Sequence, residues 1–217
     1  MGKNKDVREA VENEFLFDPL VDATNITVRC LNGDVALNGT VPSYPQYLEA
    51  AKAARRIAGV TSVRNHMEVQ LPPECHRDDA MLTTVANNTL AANRTIPDGV
   101  EAMSRNGNLK LTGTVNYGYQ RAAAESVVAG LTGVRRVNDK IEVVYDTDPA
   151  DITQHVQDAL ARHALIPDDS DVAADTFGSA VRLTGHVRTW AEHDAVVSAT
   201  WMANGVTEVI DELEVNS

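Results

Sequence analysis

Six histidines and two cysteines are the side chains in this 217-residue chain best suited to metal binding or nucleophilic chemistry. The histidines are His66, His76, His155, His163, His186 and His193, and their spacing argues against both roles. Cys75-His76, in the segment LPPECHRDD, has no second pair at the separation a zinc site requires. His155 and His163 stand eight residues apart on one expected helix, too far to share an ion, and read as ordinary surface or boundary histidines. Cys30 and Cys75 are distant from one another in the chain and are expected as reduced thiols. There is no Gly-rich phosphate loop, no Gly-x-Ser-x-Gly and no carboxylate pair set apart by its surroundings. The expectation is a protein that is not an enzyme, with no resident metal and no cofactor.

Charge is the strongest local anomaly. The net charge is −12, which repels phosphate backbones and argues against nucleic acid as a partner. It is unevenly spread. Residues 1–72 carry 8 basic and 9 acidic side chains, residues 73–147 again 8 and 9, and residues 148–217 only 3 against 13. Asp168, Asp169, Asp171 and Asp175 are the candidate cation ligands, although Asp169-x-Asp171 lacks the glycine and distal glutamate of a calcium loop. A solvated acidic loop is the competing reading.

Two arginine pairs, Arg55-Arg56 and Arg135-Arg136, are placed near helix ends. There they either complement the helix dipole or grip an anionic surface. Tyr44, Tyr47, Tyr117, Tyr119, Trp190 and Trp201 fall in or beside the same helices, and such amphipathic rings suit interfaces. Phe15-Leu16-Phe17 cannot all face one core, so Leu16 or Phe17 is left for a neighbouring module, a lipid or a partner. The candidate lipid or partner contacts are therefore Leu16, Phe17, Arg55, Arg56, Tyr117, Tyr119, Arg135 and Arg136.

These residues are positioned by a threefold repeat. Anchored on Gly39, Gly113 and Gly185, a Gly-Val pair follows twenty residues later each time, at Gly59, Gly133 and Gly205, and a valine thirty residues later, at Val69, Val143 and Val215. Each copy also has a front helix: Val7, Ala10, Val11 and Phe15; Leu82, Val85, Ala86 and Leu90; Ile152, Val156, Ala159 and Leu160. The module reads helix–strand–strand–helix–strand. First strands are expected at 26–30, 100–104 and 172–176, and last strands at 63–71, 137–144 and 209–215. Asn32-Gly33 and Asn106-Gly107 are hairpin turns. The anchor glycine marks a bulge or a close backbone approach. Ser43 with Gln46 and Thr189 with Glu192 are capping boxes that open the second helix; in the middle copy Tyr117 leaves the box incomplete and Asn116 is the expected cap. Small residues dominate the apolar stripe of that helix, so it lies close to the sheet. Only 5% of the chain is aromatic, so the cores must be built from Val, Leu, Ile and Ala.

The fold class predicted is α+β: three tandem modules at 1–72, 76–146 and 149–217, each a three-stranded sheet covered on one face by two helices. Gly39, Gly59, Gly113, Gly133, Gly185 and Gly205 are structural. No apolar run approaches the length of a membrane span. The N-terminal MGKNKDVREAVENEF has no apolar stretch after its lysines. A cytoplasmic protein is expected, or a periplasmic one had a leader been trimmed.

Leu37-Asn38-Gly39-Thr40-Val41, Leu111-Thr112-Gly113-Thr114-Val115 and Leu183-Thr184-Gly185-His186-Val187 share one pattern. Val63-Arg64-Asn65, Val137-Asn138-Asp139 and Val209-Ile210-Asp211 follow the second glycine. In these motifs the chain resembles the BON domain family, and in its triplication the OsmY-like tandem proteins of bacterial osmotic and envelope stress. The resemblance implies a non-enzymatic binding or scaffold role at phospholipid membrane surfaces or on envelope protein partners. It supplies no catalytic residue. Some relatives sense potassium. With the acidic third copy, that motivates the second reading, a soluble sensor of potassium or calcium.

Overall fold

The computed structural model describes residues 2–144, 149–162, 171–203 and 205–215. The first module runs α1 (Gly2–Phe17), β1 (Ile26–Leu31), β2 (Asp34–Val41), α2 (Tyr44–Arg55) and β3 (Ser62–Val69). The second is α3 (Asp79–Ala92), β4 (Glu101–Arg105), β5 (Asn108–Val115), α4 (Gly118–Ala129) and β6 (Arg136–Val143). The third is α5 (Pro149–Ala161), β7 (Ala173–Phe177), β8 (Ala180–Val187), α6 (Trp190–Met202) and β9 (Glu208–Val215). The fold is α+β, in three tandem copies. The first strands of the second and third copies begin one residue later than the sequence suggests.

Each sheet has its middle strand paired antiparallel to the first and parallel to the third, in the orders β1-β2-β3, β4-β5-β6 and β7-β8-β9. The antiparallel pair needs only a tight turn, and the first two are Asn-Gly with positive φ at both residues (52° and 85°; 53° and 75°). The parallel pair needs a crossover, supplied by the second helix of each module. The parallel ladder to the third strand runs unbroken through each anchor glycine, while the antiparallel ladder ends at Gly39 and one residue before Gly113 and Gly185, so no bulge forms there. The glycine is required by a close approach instead: at Gly39, φ is 119° and an added Cβ would lie 1.9 Å from the Asn25 carbonyl oxygen.

Alternation along the middle strand sends Val35, Leu37, Leu109, Leu111, Val181 and Leu183 inward, all with 0% exposure. They meet Val11 and Phe15, Leu82 and Leu90, and Ile152 and Val156 from the front helices. Truncating one of these leucines to alanine is expected to cost about 2–5 kcal/mol. Ser43 and Thr189 cap α2 and α6 as the sequence indicates. The cap of α4 is a correction: Tyr117 occupies the position, and Gln120 Oε1 accepts the backbone N–H groups of both Asn116 (3.0 Å) and Tyr117 (3.1 Å). A long amide reaching back thus replaces the missing short side chain.

The modules touch in a circle. The residue five after each anchor glycine meets the next module. Tyr44 enters the core of the second module in the same cluster as Ala129. Gly118 lies against Trp201 of the third, where an added Cβ would sit 2.4 Å from Cε3. Trp190 of the third returns to the first: its indole N–H donates to the Val60 carbonyl at 3.0 Å, and its ring carries the Arg55 guanidinium 4.6 Å from the centroid. The second helix of each module supplies these contacts; the first-second junction also brings Glu68 and Val69 of β3 to one cleft with Asn108 and Arg136 at the edge of the second sheet.

Candidate functional site

The arginine pairs do not occupy equivalent positions. Arg55 ends α2 and Arg56 caps it, but Arg135-Arg136 lies beyond α4 and opens β6, which corrects its placement at a helix end. Arg56 is bound by Glu49 (2.9 Å), Asp18 (2.5 Å) and Glu14 (3.0 Å). Glu49 foremost, then Asp18 and Glu14, raise its pKa. Arg55 is held under Trp190. Both guanidiniums of the first pair are therefore engaged within the fold. Arg135 lies against Gly107 and is exposed, as is Arg136.

Phe15 is buried, while Leu16 (72% exposed) and Phe17 (84%) face solvent beside Leu20, and no neighbouring module covers them. Tyr117 and Tyr119 stack on each other with centroids 5.4 Å apart. Tyr119 also lines a cleft of about 530 Å³ between α4 and α6, with Arg121, Glu125 and Trp201. Burial, then Asp139, pushes the Glu125 carboxyl up. Asp171 and Asp175 are exposed; Asp168 and Asp169 lie outside the described residues.

The outward sheet faces bring together residues that the linear sequence keeps apart. On the second module Arg105 and Met103 come from β4, Lys110 from β5, and Arg136, Asn138 and Lys140 from β6, all exposed. Register ties them into rows: Arg105 pairs with Asn108 and Asn108 with Arg136, Met103 with Lys110 and Lys110 with Asn138, and Thr112 with Lys140. None of the four cations joins an ion pair among the described residues. Opposed to them on the face are only Glu101 and Glu142.

The face is held firmly from behind. Asp79 of α3 accepts from Ser104 Oγ (2.5 Å) and from the backbone N–H groups of Asn106 (2.7 Å) and Gly107 (3.0 Å), with Ser104 foremost in depressing its pKa. Asn87 bonds both backbone groups of Ala102, at 2.8 and 2.9 Å, and so latches β4 to the helix.

The matching face of the first module is nearly balanced, with Arg29 and Arg64 against Asp34 and Glu68, and Arg64 paired with Asp34. On the third it is acidic: Asp175, Glu208, Glu212 and Glu214 against Arg182 and His186.

The asparagine or aspartate of the last strand has the same role in all three copies. Its Oδ1 accepts the backbone N–H two residues on, at 3.1 Å for Asn65, 2.9 Å for Asp139 and 3.2 Å for Asp211. Its other terminal atom reaches the second helix: Asn65 donates to the Tyr47 carbonyl (2.9 Å), Asp139 takes Arg121 (2.5 Å) and Asp211 takes His193 (2.9 Å). The motif pins helix to sheet.

The BON domain profile matches three times, over residues 3–70, 78–145 and 147–217. The chain belongs to the BON domain family. Osmotically-inducible protein Y of Escherichia coli K12 is 30% identical over 127 residues, 56% of this chain, and the match spans 63% of that protein's length. Among solved structures, CdsD of the Chlamydia trachomatis type III secretion system aligns over 96% of this chain and 91% of its own, at 17% identity and a TM-score of 0.27. The periplasmic domain of PrgH aligns over 88% and 95%, at 9% identity and 0.24. Those scores are too low to transfer anything from either.

In the third BON module two histidines carry most of the remaining electrostatics. His193 is clasped by Asp194 (3.2 Å) and Asp211 (2.9 Å) and rests on Trp190, 4.8 Å between centroids. Asp194, foremost, raises its pKa against the effect of burial. His186 is bound to Asp171 through Nδ1 (2.8 Å) and lies 3.5 Å from Glu214, and the Asp171 bond is the main cause of its raised pKa. Asp171 is thus already engaged by a side chain. Among the described residues no group of three or more His, Cys, Asp or Glu is placed to hold a metal ion, and no helix is long and apolar enough to cross a membrane.

Proposed function

We propose that this BON protein is a non-enzymatic binding and scaffold protein of the osmotic or envelope stress response. On this reading it associates with phospholipid surfaces through the outward sheet face of its second module. The observation that carries it is the set Arg105, Lys110, Arg136 and Lys140 on one open face, with no ion pair among the described residues. In a chain of net charge −12, four unneutralised cations on a rigid platform are a local exception that anionic headgroups complement. At about 1 kcal/mol per basic residue near an anionic leaflet, the four supply about 4 kcal/mol, a weak and salt-sensitive grip. The stress context rests on the likeness to osmotically-inducible protein Y.

Flotation with phosphatidylglycerol-containing vesicles at low salt tests it, with phosphatidylcholine vesicles as the neutral comparison. The chain is expected to float with the former only, and Arg105, Lys110, Arg136 and Lys140 changed together to Ala should abolish flotation. Arg55→Ala is the control and should leave it intact. Equal flotation of the quadruple variant, or none of the parent chain, overturns the reading.

A further inference from the structure

The second and third modules present equivalent sheet faces of opposite overall sign: two positions on the last strand invert, while Lys110 and Arg182, and Glu142 and Glu214, keep their sign. Position for position, Arg136 on β6 corresponds to Glu208 on β9, and Lys140 to Glu212. Taken whole, the second face carries four cations against two carboxylates, and the third carries four carboxylates against Arg182 and His186, the latter 3.5 Å from Glu214. Arg182 is itself occupied, 3.9 Å from Glu212 and 5.1 Å from the centre of the Phe177 ring. Each face also leaves apolar surface uncovered: Met103 (69% exposed) on one and Phe177 (57%) on the other.

We propose that the second-module sheet face docks onto the third-module sheet face of a second copy of this chain. The two faces do not cover one another within one molecule: Arg105, Lys110, Arg136 and Lys140 on one and Asp175, Glu208, Glu212 and Glu214 on the other are all exposed. A face three strands wide and eight residues long measures roughly 15 Å by 25 Å, about 400 Å² a side, which is at the weak end of specific interfaces. Association is therefore a high-concentration, low-salt property. Because the two surfaces differ, the contact is heterologous and does not close on itself, so each added copy presents a fresh face of either sign. The same second-module face serves the membrane in the proposed function, so the two uses compete, but the inference stands independently of lipid.

Sedimentation velocity on the full chain, from micromolar to several hundred micromolar protein, decides it. At about 20 mM salt the weight-average mass should climb with concentration, and about 300 mM salt should return it to the monomer. Arg136→Glu with Lys140→Glu should hold the chain monomeric, as should Glu208→Lys with Glu212→Lys. An equimolar mixture of the two variants should associate again, because each supplies the face the other has lost. A parent chain that stays monomeric throughout, variants that associate as the parent does, or a mixture that fails to recover would each overturn the proposal. Glu208→Lys with Glu212→Lys keeps the second-module face, so its vesicle flotation should persist. Loss of self-association and loss of membrane binding are thereby read separately.

Discussion

Arg55 sits beneath the ring of Trp190, 4.6 Å from its centroid, and this contact joins the last module to the first. The indole hydrogen bond to the Val60 carbonyl fixes the ring in place. A cation over an indole contributes about 0.5–2 kcal/mol, and a neutral hydrogen bond about 1 kcal/mol. Trp190→Ala should therefore release the junction without unfolding either module. Small-angle scattering should show a larger radius of gyration with unchanged far-ultraviolet circular dichroism. An unchanged radius would show that other contacts hold the two modules together.

The Gly118–Trp201 junction should respond to size. Gly118→Leu forces a side chain into the space of the indole and is expected to cost about 1–3 kcal/mol in denaturant unfolding. Trp201→Ala opens that space at its own cost. The double variant should be more stable than the sum of the two losses predicts, a positive coupling in a double-mutant cycle. Simple additivity would contradict the contact.

His193 makes the third module sensitive to pH. Its pKa in the folded chain lies above the ordinary value of 6.5, chiefly through Asp194, with Asp211 adding to it. Asp194 is itself depressed chiefly by its bond to His193, with Arg55 and Lys52 of the first module adding to the effect. A group whose pKa rises on folding stabilises fully below its unfolded value and loses that contribution as pH climbs through the folded value. His186, raised mainly by Asp171, acts in the same direction from an exposed position. The melting temperature should thus fall between pH 5.5 and 8.5, and His193→Gln should flatten the profile more than His186→Gln. A slope that survives in His193→Gln assigns the effect elsewhere.

Much of the fold is legible in the sequence because its signals are local. Three glycines at fixed spacing, alternation along the middle strands and Asn-Gly turns each act over a few residues. The junctions are not legible, because the positions that make them share no residue type: Tyr44, Gly118 and Trp190 meet Ala129, Trp201 and Arg55. The basic face was only half visible. Arg135 and Arg136 stand out as a pair, yet neighbours on a strand point to opposite faces, and the useful partners of Arg136 are Arg105, Lys110 and Lys140. Projecting the period-two pattern through the hairpin register would have gathered them. The Leu16–Phe17 surplus was visible in sequence, but a contact with another module was one of the readings left open, and the structure leaves both residues in solvent.

The unlike fits around the circle bear on how a triplicated gene can change. Exchanging the second and third copies would set Tyr44 against Trp201, two large rings in the space of one, and would leave Gly118 facing Arg55 across a gap. Each duplicate has drifted into dependence on its neighbours, so the copies are no longer interchangeable, and their order has become an inherited property of the chain.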